Sequence, residues 1–221
     1  YNMQVLAQID FIFAKARLSE KMNAVEPVLK TTPQLSIIKG RHPLIHPKQV
    51  VPLTIALGKD FDSVIITGPN TGGKTVTLKT IGLLTLMTMC GLMIPADDNS
   101  EIAIFNRIFA DIGDEQSIED DLSTYSSHLL NMKNMMKLAD SSTLLLIDEF
   151  GGGTEPTIGG AMAEAILKRY TQCGAFGVIT THYQNLKHFA DANKGVVNGA
   201  MLYDRHQMQA LFQLQIGNPG S

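Results

Sequence analysis

The chain has little cysteine, little net charge and no long apolar run, and each shortage excludes something. Cys90 and Cys173 are its only cysteines. Two thiols cannot build a disulfide framework, and neither has a partner at metal-ligand spacing, so reduced thiols in an intracellular compartment are expected, with Cys90 in the core. Lys and Arg number 18 against 21 Asp and Glu, a formal charge of −3. The chain as a whole therefore lacks the basic footprint of a histone-like nucleic-acid binder. The most apolar stretch, Ile81–Pro95, falls short of the roughly 18 residues of a membrane-spanning helix. The first residues, YNMQVLAQIDFIFAKARLSEKM, mix an acid and several bases into the apolar pattern, unlike a signal peptide. No internal repeat or low-complexity tract occurs.

What is present is an apolar, moderately charged chain of 221 residues, 44% hydrophobic and 18% charged. That excludes disorder along its length and leaves room for one large core or two modest domains. Val5, Leu6, Ile9, Ile12, Phe13 and Ala16 recur at steps of three and four, which predicts an amphipathic helix over 2–22. Prolines 27 and 33 break it, so residues 1–30 read as a helical connector and 31–221 as the main domain. The proline-rich segment RHPLIHPKQVVPLTI is expected to be extended and irregular.

From about residue 61 the pattern changes. VIIT (64–67), LLLID (144–148) and GVITT (177–181) are continuous apolar runs, separated by helical patterns at 74–92 and 158–171. Such runs predict an α/β fold with a mostly parallel sheet covered by helices. Met208, Ala210, Phe212, Leu214 and Ile216 alternate with Gln209, Gln213 and Gln215. They predict a half-exposed strand pairing antiparallel with 196–203.

Residues 68–75, GPNTGGKT, satisfy the phosphate-loop pattern G-x-x-x-x-G-K-[ST] with a strand before and a helix after. Gly68, Pro69, Asn70, Thr71, Gly72 and Gly73 form a loop whose backbone N–H groups can converge on phosphate oxygens, the helix from 74 adds its dipole, and Val76 in its first turn is a further cofactor-binding candidate. Lys74 reaches β- and γ-phosphates and Thr75 holds Mg²⁺. Asn70 reads either as a turn residue or as a γ-phosphate contact. Asp148 and Glu149 end a buried strand, where two carboxylates are costly without a cation to meet them. Asp148 suits Mg²⁺, and Glu149 suits orienting the attacking water. His182 ends the next strand, at the sheet edge where ligands of open α/β sheets bind, and reads as a γ-phosphate sensor. Val50 and Val51 are candidates for loose apolar contact with the base.

GPNTGGKT, LLLIDE, GGGT (151–154) and TTHY (180–183), in this order, resemble the ATPase domain of the MutS family, relatives of ABC-type ATPases. GRHPLI (40–45) is similar to the element that opens that domain. Ser123-Thr124-Tyr125 matches the family's signature, used in trans on the partner subunit's ATP. The resemblance spans about residues 36–221, and the first helix resembles the end of the helical lever before that domain. It implies a P-loop NTPase fold with antiparallel additions, ATP and Mg²⁺ as cofactors, and a homodimer with composite sites. It also implies a bacterial cytoplasmic location and action on DNA or ribosomes through domains outside this chain, with no membrane role.

Two departures bear on the branch. Asp121-Leu122 stand where mismatch-repair members carry Gly-Arg, and Gly152 stands where they carry Arg. GDEQSIEDDLSTYSSH is similar to the second MutS branch, linked with suppression of recombination and, in some bacteria, ribosome quality control. No Smr nuclease of that branch is matched, so nuclease activity is not expected here. The chain is expected to be the motor of a longer protein. A mismatch-repair MutS and an ABC- or SMC-type ATPase module remain alternatives.

The charge is uneven. Nine acids lie in 97–121 against Arg107 alone, leaving 17 Lys and Arg (18 − 1) against 12 Asp and Glu (21 − 9) elsewhere. This acidic stretch reads as a solvated edge. Gln116 within it is a candidate near Mg²⁺ or the attacking water, His128 reads as an ordinary helix residue, and the Met-rich stretch 131–138 as a packed helix face.

Overall fold

The computed structural model describes residues 2–113, 121–204 and 207–217, except the side chains of residues 70 and 121–125. Helix α1 (Asn2–Met22) leads into strands β1 (Val28–Lys30), β2 (Leu35–Gly40), β3 (Leu53–Leu57) and β4 (Ser63–Thr67). Helix α2 (Lys74–Met89), strands β5 (Glu101–Ala103) and β6 (Arg107–Asp111), and helix α3 (Asp121–Leu138) follow. Strand β7 (Thr143–Ile147), helix α4 (Pro156–Gln172), strand β8 (Phe176–Thr180), helix α5 (Gln184–Ala192) and strands β9 (Val196–Asp204) and β10 (Gln209–Ile216) complete the order.

The main sheet runs β10-β9-β4-β8-β7-β6. Every pairing is parallel except β9 with β10. Strands β4, β7 and β8 are buried at every position, which is why they read as unbroken apolar runs. Their alternation divides two cores. Val64, Ile66, Leu144, Leu146 and Val178 face the side holding α2, whereas Ile65, Leu145, Ile147 and Ile179 face the other. Met132 and Met135 of α3 pack into this second core, so the Met-rich stretch is a packed face.

A second sheet, β1-β5-β2-β3, caps the α2 side, with Leu35, Ile37, Ile55 and Leu57 in the first core. The sequence reading missed it. Its strands are short, and β1 pairs with β5 some 70 residues away in the chain. The proline-rich segment is irregular only as far as Pro52, because Leu53–Leu57 alternates buried and exposed residues as β3. Cys90 also corrects expectation. It is exposed, because α2 ends there and Leu92 N–H turns back to Met87 C=O at 2.9 Å.

Helix α1 contributes no buried residue. Its last turn closes with Ala24 N–H on Ser19 C=O (2.8 Å) and Asn23 N–H on Glu20 C=O (3.0 Å), a Schellman-type stop with Asn23 left-handed at φ 50°. Arg41 donates to the Met22 and Asn23 carbonyls at 3.2 and 2.9 Å, fastening this end to the segment after β2.

Leu146 is fully enclosed between α2 and the sheet. Leu146→Ala should cost about 2–5 kcal/mol of unfolding free energy, read as a lower urea midpoint at an unchanged slope.

Candidate active site

Strands β4, β8 and β7 are neighbours, and their C-terminal ends bring three loops together. After Thr67 the chain passes through a 3-10 turn at Asn70–Gly72 and enters α2 at Lys74. Gly73 is left-handed at φ 89°, and a Cβ there would lie 2.7 Å from the Phe212 ring. Only glycine fits both demands. The first N–H groups of α2 have no intrahelical acceptor and, with the dipole, suit this turn to holding an anion.

Lys74 is 1% exposed. Its Nζ donates to His182 Nε2 at 3.2 Å, and among the described residues it is in none of the ion pairs. Burial lowers its pKa, and the nearby Glu149 and Asp148 charges oppose that shift.

Asp148 is 9% exposed, and hydroxyls meet both its oxygens. Thr75 Oγ1 donates to Oδ2 at 2.5 Å, and Thr180 Oγ1 donates to Oδ1. Thr180 Oγ1 also accepts the Glu149 N–H at 2.8 Å. Glu149 sits in left-handed backbone, φ 48°, which is uncommon for a residue with a side chain and marks a constrained position. Phe150 N–H reaches Thr180 C=O at 2.8 Å, and Thr181 Oγ1 donates to Phe150 C=O at 3.1 Å. Tyr183 Oη donates to Gly151 C=O at 2.8 Å. The end of β8 thus holds the acid pair and the glycine loop after it.

His182 is exposed at the mouth of the site. Its pKa lies below the usual histidine value, first through partial burial and then through the Lys74 ammonium. That direction agrees with Nε2 accepting from Lys74, which needs the ring nitrogen unprotonated.

A cavity of about 170 Å³ opens beside Gly73, lined among others by His42, Val50, Val51, Val76, Thr77 and Phe212. Phe212 comes from β10, where the register with β9 shifts between Ala210 and Leu214. The backbone there is left-handed, φ 54°. This bulge re-aims the ring from the strand's alternation toward the phosphate loop.

The structure thus brings together Lys74, Thr75, Asp148, Glu149 and His182, with Val50 and Val51 at the neighbouring cavity. The backbone of Ser123 lies in the first turn of α3; its side chain, that of Asn70, and all of Gln116 lie outside the described residues. Sequence reasoning missed Thr180, Tyr183 and Phe212. The TTHY run was the available signal for the first two, and none pointed to Phe212. The solvated reading of the acidic stretch fails at Asp111, which is 5% exposed. This carboxylate accepts from His128 Nδ1 at 2.7 Å and Asn131 Nδ2 at 3.3 Å.

Residues 64–221 match the family model of MutS domain V. The chain belongs to the MutS family. Its P-loop ATPase fold is the fold of that domain. Among curated relatives named Endonuclease MutS2, the chain is 52% identical to the protein of Alkaliphilus oremlandii, 51% to that of Clostridium beijerinckii and 50% to that of a Geobacillus species. Each alignment covers 99% of this chain and 28% of the relative's length. These relatives place the chain with the second MutS branch, as the residues at 121–122 and 152 suggest. Among the described residues no helix is long and apolar enough to cross a membrane.

Because burial first, and the Lys74 ammonium second, hold the folded-state pKa of His182 down, the unprotonated ring contributes stability in full above the ordinary histidine value of about 6.5 and loses it as pH falls below. Thermal unfolding of wild type and His182→Gln from pH 8 to 5 should show the wild-type advantage narrowing only on the acid side of that value.

Proposed function

We propose that this chain binds Mg-ATP and hydrolyses it to ADP and phosphate. The observation carrying this reading is the buried Lys74 ammonium in a phosphate loop, beside Thr75, whose hydroxyl is paired with Asp148 from the end of β7. A buried cation that has no carboxylate ion pair among the described residues favours an anion from outside, and the loop and helix N-terminus favour the same anion. Thr75 Oγ1 and Asp148 Oδ2 are hard oxygen donors already side by side. They suit Mg²⁺, which commonly binds through few protein oxygens, retained waters and substrate phosphates. A bound Mg²⁺ would neutralise charge developing on the transferred phosphoryl group.

The protein's own residues supply the remainder. Lys74 holds the phosphates, and Asn70 with the rest of residues 68–75 encloses them. Glu149, fixed by its N–H bond to Thr180, orients the attacking water, and His182 reads the γ-phosphate. The cavity beside Gly73 takes the base, with the Phe212 ring against it and Val50 and Val51 opposite. Ser123 at the start of α3 acts on the nucleotide of a second subunit, so that two chains complete two sites. ATP then drives dimerisation, and the switch governs action on DNA or on ribosomes in the bacterial cytoplasm through parts of the protein outside this chain.

Phosphate release with saturating Mg-ATP should fall roughly 100-fold in Lys74→Ala and in Glu149→Gln, the scale of losing a preorganised charge contact. Glu149→Gln should still bind nucleotide and sediment as a dimer with it. Equal rates for wild type and Lys74→Ala would remove the assigned site. Phe212→Ala should raise KM about tenfold at unchanged kcat, given that base stacking contributes about 1–3 kcal/mol.

A further inference from the structure

Asp111 has no role in the chemistry proposed above, yet its backbone meets the end of β7 and its buried carboxylate meets α3. It stands at the C-terminal end of β6, beside β7, and its carbonyl accepts the Asp148 N–H at 2.9 Å. Its side chain is 5% exposed and is held from α3 by His128 and Asn131. Those two residues are three apart and so share one face of the helix. The His128 ring also lies against Gly113, 3.7 Å from where a Cβ would stand. One residue thus binds the backbone of the metal-side aspartate and, through its carboxylate, the helix that carries Ser123.

We propose that Asp111, His128 and Asn131 form a joint that couples the seating of α3 to the position of Asp148 and Glu149. His128 and Asn131 are positioning residues in this arrangement, because they act on the reaction through Asp111. The joint sets the rate of hydrolysis and leaves the phosphate loop, and hence nucleotide affinity, unaffected. This inference rests on the ATPase reading above.

The test compares wild type, Lys74→Ala, His128→Ala and His128→Asn in the full chain, by phosphate release and by direct titration with a fluorescent ATP analogue and Mg²⁺. Asparagine can place an N–H near the position of the histidine Nδ1 and keeps a donor for Asp111. His128→Ala should lower kcat at least fivefold with nucleotide Kd within twofold of wild type, and His128→Asn should recover most of that loss. Combining Asp111→Asn with His128→Ala should cost little beyond the larger single loss, since both break one joint. The inference is overturned if His128→Ala keeps wild-type kcat, if its affinity falls in step with its rate, or if asparagine recovers nothing. Wild type no faster than Lys74→Ala would instead sink the ATPase reading itself, and the inference with it.

Discussion

The arrangement depends on one costly placement, the Lys74 ammonium buried at the end of a parallel sheet. Burial disfavours the charged form, and among the described residues its Nζ meets the His182 ring rather than a carboxylate. Asp148 and Glu149 lie close enough to favour the charge, yet the carboxylate of Asp148 is held by hydroxyls of Thr75 and Thr180. The two signs are thus kept near each other without collapsing into a salt bridge. A bound polyphosphate would meet the cation, and a metal ion would meet the carboxylate.

Much of the fold serves to hold this separation. The order β4-β8-β7 sets β8 between the strand that leads into the lysine loop and the acid strand. Thr180, the last residue of β8, fixes the acid pair through its hydroxyl and the following Phe150 through its carbonyl, and His182 just beyond meets the lysine. Farther out, the same β7 end is tied through Asp111 to α3, and the phosphate loop lies under Phe212. The parallel sheet gives the site rigidity, and the bulge in β10 brings in a side chain from the antiparallel edge.

How much of this could be read in advance follows from how local the chemistry is. GPNTGGKT is contiguous, and its glycines report a backbone requirement that does not depend on distant residues. The three central strands are buried on both faces, so they are legible as unbroken apolar runs. The small sheet is not, because strands of a few residues gain their meaning only from partners far along the chain. Phe212 was placed in a regular alternation, and nothing in an alternating pattern signals a register shift that turns one ring out of it. Asp111 looked like one acid among nine, since its burial arises from two donors on a helix that begins ten residues later. Cys90 was assigned by residue type, but a helix stop put it at the surface.

The central claim, that the buried lysine makes an anion site completed by metal-bound nucleotide, is tested most directly by ligand-linked stability. A ligand that binds only the folded state raises the unfolding midpoint with its concentration. Thermal unfolding over a Mg-ATP titration should show a midpoint that climbs in wild type, climbs less when Mg²⁺ is chelated, and stays flat in Lys74→Ala. A wild-type midpoint indifferent to Mg-ATP, or an equal rise in Lys74→Ala, would contradict the account.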